Sequence, residues 1–151
     1  MKSTILNLCK TDSEWTTSMI RIVVALVMFA HGAQKMLAWF GGHGPGWTIE
    51  MWGKWFGFPG WITALVIIGE FFGPILLLVG LGTRLMSTVM ATIMIGAVWF
   101  VHLRWGFYMN WYSEQGRGEG FEYHILLFAM CVFLMAKGGG KFSIDRWLTD
   151  K

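Results

Sequence analysis

Hydrophobic residues gather along the chain into four runs, roughly residues 19–40, 61–81, 85–103 and 121–136, parted by segments rich in Gly, Trp and charge. The first three have about the twenty residues that a helix needs to cross a hydrocarbon core; the fourth reaches that length only when extended at both ends. The pattern predicts an all-α membrane protein, a bundle of four transmembrane helices forming a single domain over residues 1–151. Gly82-Thr83-Arg84, between the second and third runs, predicts a tight turn and an antiparallel hairpin. Between the first and second runs, Glu50, Gly53, Lys54 and Gly57 recur at helical spacing opposite Trp52, Trp55 and Phe56. That spacing predicts a short helix lying in the membrane interface, as part of an aromatic belt or as a lid over a site.

Composition supports the membrane reading. The 151 residues are 55% hydrophobic and 14% charged, with a mean hydropathy of +0.52, too apolar for an ordinary water-soluble domain. Ten tryptophans and twelve phenylalanines fit a bilayer, which offers aromatic rings a core and two interfaces. The net charge of +3 therefore points to anionic lipid and to orientation, not to nucleic acid. Lys2, Lys10, Arg21, Arg84, Lys137, Lys141, Arg146 and Lys151 fall on one side of the spans, against Lys54, Arg104, Arg117 and Lys35 on the other. Both termini are therefore expected in the cytoplasm, with loops 41–60 and 104–120 outside. Asp12 and Glu14 interrupt any signal-peptide pattern, so the first run is expected to remain as a span. Cys9 and Cys131 form no CxxC pair, which argues against dithiol chemistry or a thiolate metal site.

Ionisable groups at membrane depth cost about 2.5–3.5 kcal/mol each to insert, so each asks for a reason. Glu70 lies near the middle of the second run, and Pro74, four residues on, cannot donate to its carbonyl. A carboxyl group beside a freed carbonyl is a candidate site for a proton, a cation or a ligand hydroxyl; the plainer alternative is a neutral Glu in one interhelical hydrogen bond. In the first run His31, Gln34 and Lys35 share one helical face at i, i+3 and i+4, expected to look inward at the depth of Glu70. Lys35 is also near enough to the outer interface to snorkel there. His102 and His124 stand near the outer ends of the third and fourth runs, and Glu122, two residues before His124, must point elsewhere. Trp99 belongs to the same outer level. The spacing provides no HxxxH or ExxH pair, so no metal site is assigned, and haem ranks below an organic ligand. Gly69, Gly73 and Gly80, and the stripe Met86, Met90 and Met94, read as packing.

Arg21, His31-Gly32-Ala33-Gln34-Lys35, Gly69-Glu70-Phe71-Phe72-Gly73, Gly80-Leu81-Gly82-Thr83-Arg84 and His102, closed by Gly138-Gly139-Gly140-Lys141-Phe142-Ser143-Ile144-Asp145, follow in an order that resembles the DoxX family of small four-helix membrane proteins. The similarity runs from about residue 19 to residue 145. It implies a tie to membrane redox chemistry, since relatives include the DoxD-type, quinone-reducing subunit of thiosulfate:quinone oxidoreductase. His31, Lys35 and Glu70 carry over most directly, His102 and Arg84 less so. The tryptophan-rich outer loop is longer and more aromatic than the family's usual one.

The expected function is a subunit of a membrane redox system that binds a quinone in the outer half of the bundle. His31 and Lys35 would hold a quinone oxygen and Glu70 would pass protons, with Gln34, His102 and Trp99 completing the cofactor-binding group. No flavin or nucleotide motif is present, so electrons would come from a partner or a bound cofactor. The alternatives are a binding or transport protein for a small hydrophobic molecule or ion, a structural subunit of a larger complex, and a haem- or metal-binding bundle. Beyond lipid, a protein partner or a homo-oligomer is expected. The compartment is a bacterial or archaeal cytoplasmic (inner) membrane.

Overall fold

The computed structural model describes residues 11–150; Lys2, Cys9, Lys10 and Lys151 lie outside the described residues. Every regular element among the described residues is helical. Helix α1 spans Trp15–Leu37 and ends where Ala38 turns left-handed (φ 57°) and returns its N–H to Ala33. Helix α2 spans Gly44–Phe56, with Pro45 in its first turn, and stops at Gly57. Helix α3 spans Gly60–Val79 and runs through Pro74 without a break. Gly80 and Gly82, both at positive φ, then make a turn that starts two residues before the predicted one, Thr83 and Arg84 already opening the next helix. Helix α4 spans Thr83–Ala97 and continues through a π turn, Val98–His102, and a 3₁₀ turn, Leu103–Trp105. Helix α5 spans Glu122–Lys137, and the short α6, Ile144–Thr149, starts at Ser143, whose hydroxyl accepts from the Arg146 N–H.

Three helices are long and apolar enough to cross a membrane: Trp15–Leu37, Gly60–Val79 and Thr83–Trp105. The protein is therefore a multi-pass membrane protein. Helix α5 has 16 residues, about 24 Å of helix against a hydrocarbon core of about 30 Å. It is nevertheless packed in the bundle: α1 pairs with α3 and α4 with α5, and α3–α4 and α1–α5 contacts close the ring. Val24, Met28, Leu77, Met90, Met94, Leu127, Cys131 and Leu134 fill the centre. Met90 and Met94 of the predicted stripe are buried, and a methyl group at Gly73 would press on the Met90 side chain. Both observations bear out packing.

The end of the bundle that carries the chain's tail is tied by charged side chains. Arg21 is 1% exposed and donates to the carbonyls of Leu77, Leu78, Gly139 and Phe142. Asp145, equally buried, accepts from the N–H groups of Gly82 and Thr83 at 2.7 and 2.8 Å. Arg84 reaches the carbonyls of Met135 and Ala136 at 3.0 Å each. Arg21 and Arg84, counted above among the orientation charges, are thus drawn into the fold. The reason is physical: each meets the carbonyls left open at a helix C-terminus.

Candidate functional site

At the opposite end, where the loops lie, the polar residues of α1 and α3 meet. Lys35 Nζ stands 2.5 Å from Glu70 Oε2, with the side chains 20% and 6% exposed. Lys35 therefore turns inward and does not snorkel. The approach depends on Gly32, because any side chain there would run into the Glu70 carbonyl and Phe71 Cα. The carbonyl that Pro74 deprives of its helical donor thus lies against the glycine of α1, whose Cα–H groups are weak donors. Lys35 Nζ also lies 3.4 Å from the His31 carbonyl, one turn back.

Helix α2 supplies a cover. The Trp52 ring lies 5.9 Å from Lys35 Nζ, a cation–π contact. Trp52 packs in turn on Phe56 and Phe58, at ring separations of 6.0 and 6.3 Å, and Phe58 packs edge-on to Phe100 of the π turn at 4.7 Å. An aromatic layer thereby joins α2 to α4 above the ion pair.

Of the two candidates on that face of α1, Lys35 and not His31 meets Glu70. The Glu70 carboxylate is taken by Lys35, and the His31 ring, on the exposed side of α1, lies 6.5 Å from the ring of Tyr123 on α5. His31 remains within electrostatic range of Lys35, Glu70 and His102. His102 and His124 come together, with ring centroids 4.1 Å apart. A metal held between two opposed imidazoles at about 2.0–2.1 Å per bond would separate the rings further, so this pair does not fit trans ligation of haem iron. No group of three or more His, Cys, Asp or Glu among the described residues is arranged to hold a metal.

His102 Nδ1 is 2.8 Å from the Glu119 carbonyl. Since a carbonyl only accepts, that contact places the proton on Nδ1 and leaves Nε2 as the basic nitrogen. Glu122 faces the loop and accepts from the Trp111 indole at 3.2 Å, whereas His124 is buried, as helix geometry requires of residues two apart. Gln34 is spent on the Phe40 carbonyl at 3.2 Å. Trp99, in the same π turn as His102, is 70% exposed. Sequence reasoning passed over Tyr123 and the particular role of Trp52. For Tyr123 the signal was present in Glu122-Tyr123-His124, three polar side chains opening an apolar helix.

The sequence model of the DoxX family matches residues 16–103, which include His31, Lys35, Glu70 and His102 but stop short of α5 and the glycine-rich segment that follows it. A protein of Bacillus subtilis (strain 168) named "Putative oxidoreductase CatD" is 29% identical over 111 residues, covering 74% of this chain and 72% of the relative. No solved structure matches the chain.

Proposed function

The chain belongs to the DoxX family, and from that premise we propose that it is a subunit of a membrane redox system that binds a quinone beside the Lys35–Glu70 pair. The observation that carries this reading is the ion pair itself: a cation and a carboxylate 2.5 Å apart, one turn from a histidine and covered by a tryptophan ring. Reducing a quinone adds negative charge and then protons. An ammonium group is suited to the developing charge and a carboxylate to the proton transfer, and a low-dielectric surrounding strengthens both effects. An apolar groove of about 380 Å³ between α3 and α4 is lined by Trp61, Ile62, Val66 and Ile93. Val66 lies four residues before Glu70 on one helix face, so the groove gives an isoprenoid tail a place to lie. The name of the Bacillus relative agrees with redox chemistry. Electrons would reach the site from a partner.

In this proposal α5 is the fourth span, α2 lies in the outer interface, and both termini face the cytoplasm of a bacterial or archaeal cell. A cysteine at Gln115 should react with an impermeant reagent from outside and one at Lys141 should not; the reverse pattern would invert the topology. The functional test is purification of the full chain in mild detergent followed by lipid extraction and a quinone-reduction assay. Glu70→Gln keeps the shape of the side chain and a carbonyl acceptor for Lys35 but cannot shuttle protons, so the fold should persist with reduced stability and quinone-linked turnover should vanish. Full turnover in that variant, or failure of the wild type to retain or bind quinone, overturns the reading.

A further inference from the structure

Four rings from three helices line up between the buried ion pair and the loop surface. His31 of α1, next to Lys35 and Glu70, faces Tyr123 of α5 at 6.5 Å; Tyr123 faces His124 at 5.6 Å; His124 faces His102 at 4.1 Å. Every ring carries an exchangeable proton. Within this row Tyr123 Oη and His124 Nδ1 are buried without a hydrogen-bond partner among the described residues, although a buried polar atom left unpaired costs about 1–3 kcal/mol. Such atoms call for a small, mobile donor or acceptor such as water. Packing alone would be served by phenylalanine at either position.

We infer that His31, Tyr123, His124 and His102 form a proton conduit between the Lys35–Glu70 pair and the loop surface. The inference rests on the proposed function only for what drives the flow. One proton enters the row and one leaves it, no electron moves, and no bond other than N–H and O–H forms or breaks. The Glu119 carbonyl holds the proton on His102 Nδ1, so His102 takes up and releases the travelling proton at Nε2. The loop builds this contact deliberately. Asn110 N–H donates to Glu119 Oε2 at 2.6 Å, and Gly120 sits where any side chain would strike the carbonyls of Gly106, Phe107 and Tyr108. The other ionisable neighbours are Cys131, on the inner side of Tyr123 along α5, and Glu122, which is bonded to Trp111.

The test uses the purified full chain with no quinone added, so that it is separate from the test of quinone binding. After a rapid acid jump, the carboxylate stretch of Glu70, assigned by its loss in Glu70→Gln, is followed by infrared spectroscopy. Tyr123→Phe and His124→Phe keep an aromatic ring and remove Tyr123 Oη and His124 Nδ1, which have no hydrogen-bond partner among the described residues, so both should fold. Each should slow protonation of Glu70 by about a hundredfold, the lower end of what a positioned proton carrier contributes. His43→Phe, at a histidine stacked on Trp47 outside the row, should leave the rate unchanged. Equal rates in wild type, Tyr123→Phe and His124→Phe, which direct escape from the exposed His31 would give, overturn the conduit. So does a wild-type Glu70 that never responds to the jump.

Discussion

The two ends of this bundle handle buried charge in opposite ways. At the tail end three charged side chains close helix termini: Arg21 takes the last carbonyls of α3, Asp145 the first N–H groups of α4, and Arg84 the last carbonyls of α5. Their partners are backbone groups that would otherwise be orphaned, and every sign agrees with the helix dipole it meets. At the loop end the charges meet each other, Lys35 with Glu70, and the rings beside them leave Tyr123 Oη and His124 Nδ1 unpaired. Three small hydroxyls, Thr63, Thr83 and Ser87, also have no partner among the described residues, but none of them titrates. One end is organised as a fastening, while the other gathers the titratable side chains on which the proposed function rests.

The contrast predicts different outcomes for removing charge at the two ends, and the largest effect belongs to Arg21. Arg21→Met strips the guanidinium from the carbonyls of Leu77, Leu78, Gly139 and Phe142 at once. With about 1–3 kcal/mol for each buried group left unpaired, the loss approaches the whole stability of a typical domain, about 5–15 kcal/mol. The variant should fail to yield a monodisperse peak in detergent, and Arg21→Lys, with no planar fork to span four acceptors, should rescue little. A stable Arg21→Met protein would erase the distinction between the ends.

The loop-end pair should behave as a unit that can be removed whole. Either Glu70→Leu or Lys35→Met alone strands a buried charge and should cost about 3–5 kcal/mol, while the double variant should recover most of that loss. Thermal melts of the four proteins in one detergent give the cycle. This sharpens what the sequence predicts for Glu70: its partner is an ammonium group, so deleting the carboxylate alone is not benign. Additive losses in the double variant would mean that Lys35 and Glu70 are each held by other groups, and the site would need rebuilding.

Much of this was legible in the chain. The hydrophobic runs located α1, α3 and α4, because a lipid environment demands long unbroken apolar stretches, and the turn between α3 and α4 was found to within two residues. The i, i+4 spacing of His31 and Lys35, and the depth of Glu70, brought the site to within one side chain of the observed pair. What pattern could not decide was which of two groups on one face would reach the carboxylate. The longer reach of Lys35 settles that, with Gly32 letting the helices close. Arg21 was read as an orientation charge because counting rules ignore what lies opposite a residue. Its partners are some 56 to 121 positions away along the chain, beyond any local signal. Tyr123 was overlooked although Glu122-Tyr123-His124 opens an apolar helix with three polar groups; its place beside His31 comes only from the packing of α1 against α5.

The smallest expected effect lies on α2, outside both ends of the bundle core. Glu50 and Lys54 form an i, i+4 pair at 2.6 Å with both side chains more than half exposed, the kind of contact that solvent and salt weaken. The hydrogen bond and charge of Lys54 hold the Glu50 carboxyl below its usual range. Its support of the helix is therefore present at neutral pH and is lost as the pH falls through that lowered value. Glu50→Gln should leave the melting temperature of the bundle unchanged while the α2 amides exchange hydrogen somewhat faster at neutral pH. In acid, wild type and variant should converge, because the wild-type carboxyl is then neutral too. Because Trp52 of α2 rests over Lys35, the same exchange experiment reports on the cover of the site. A Glu50→Gln variant that melted as early as Lys35→Met would show that α2 is part of the core and not a cover laid over it.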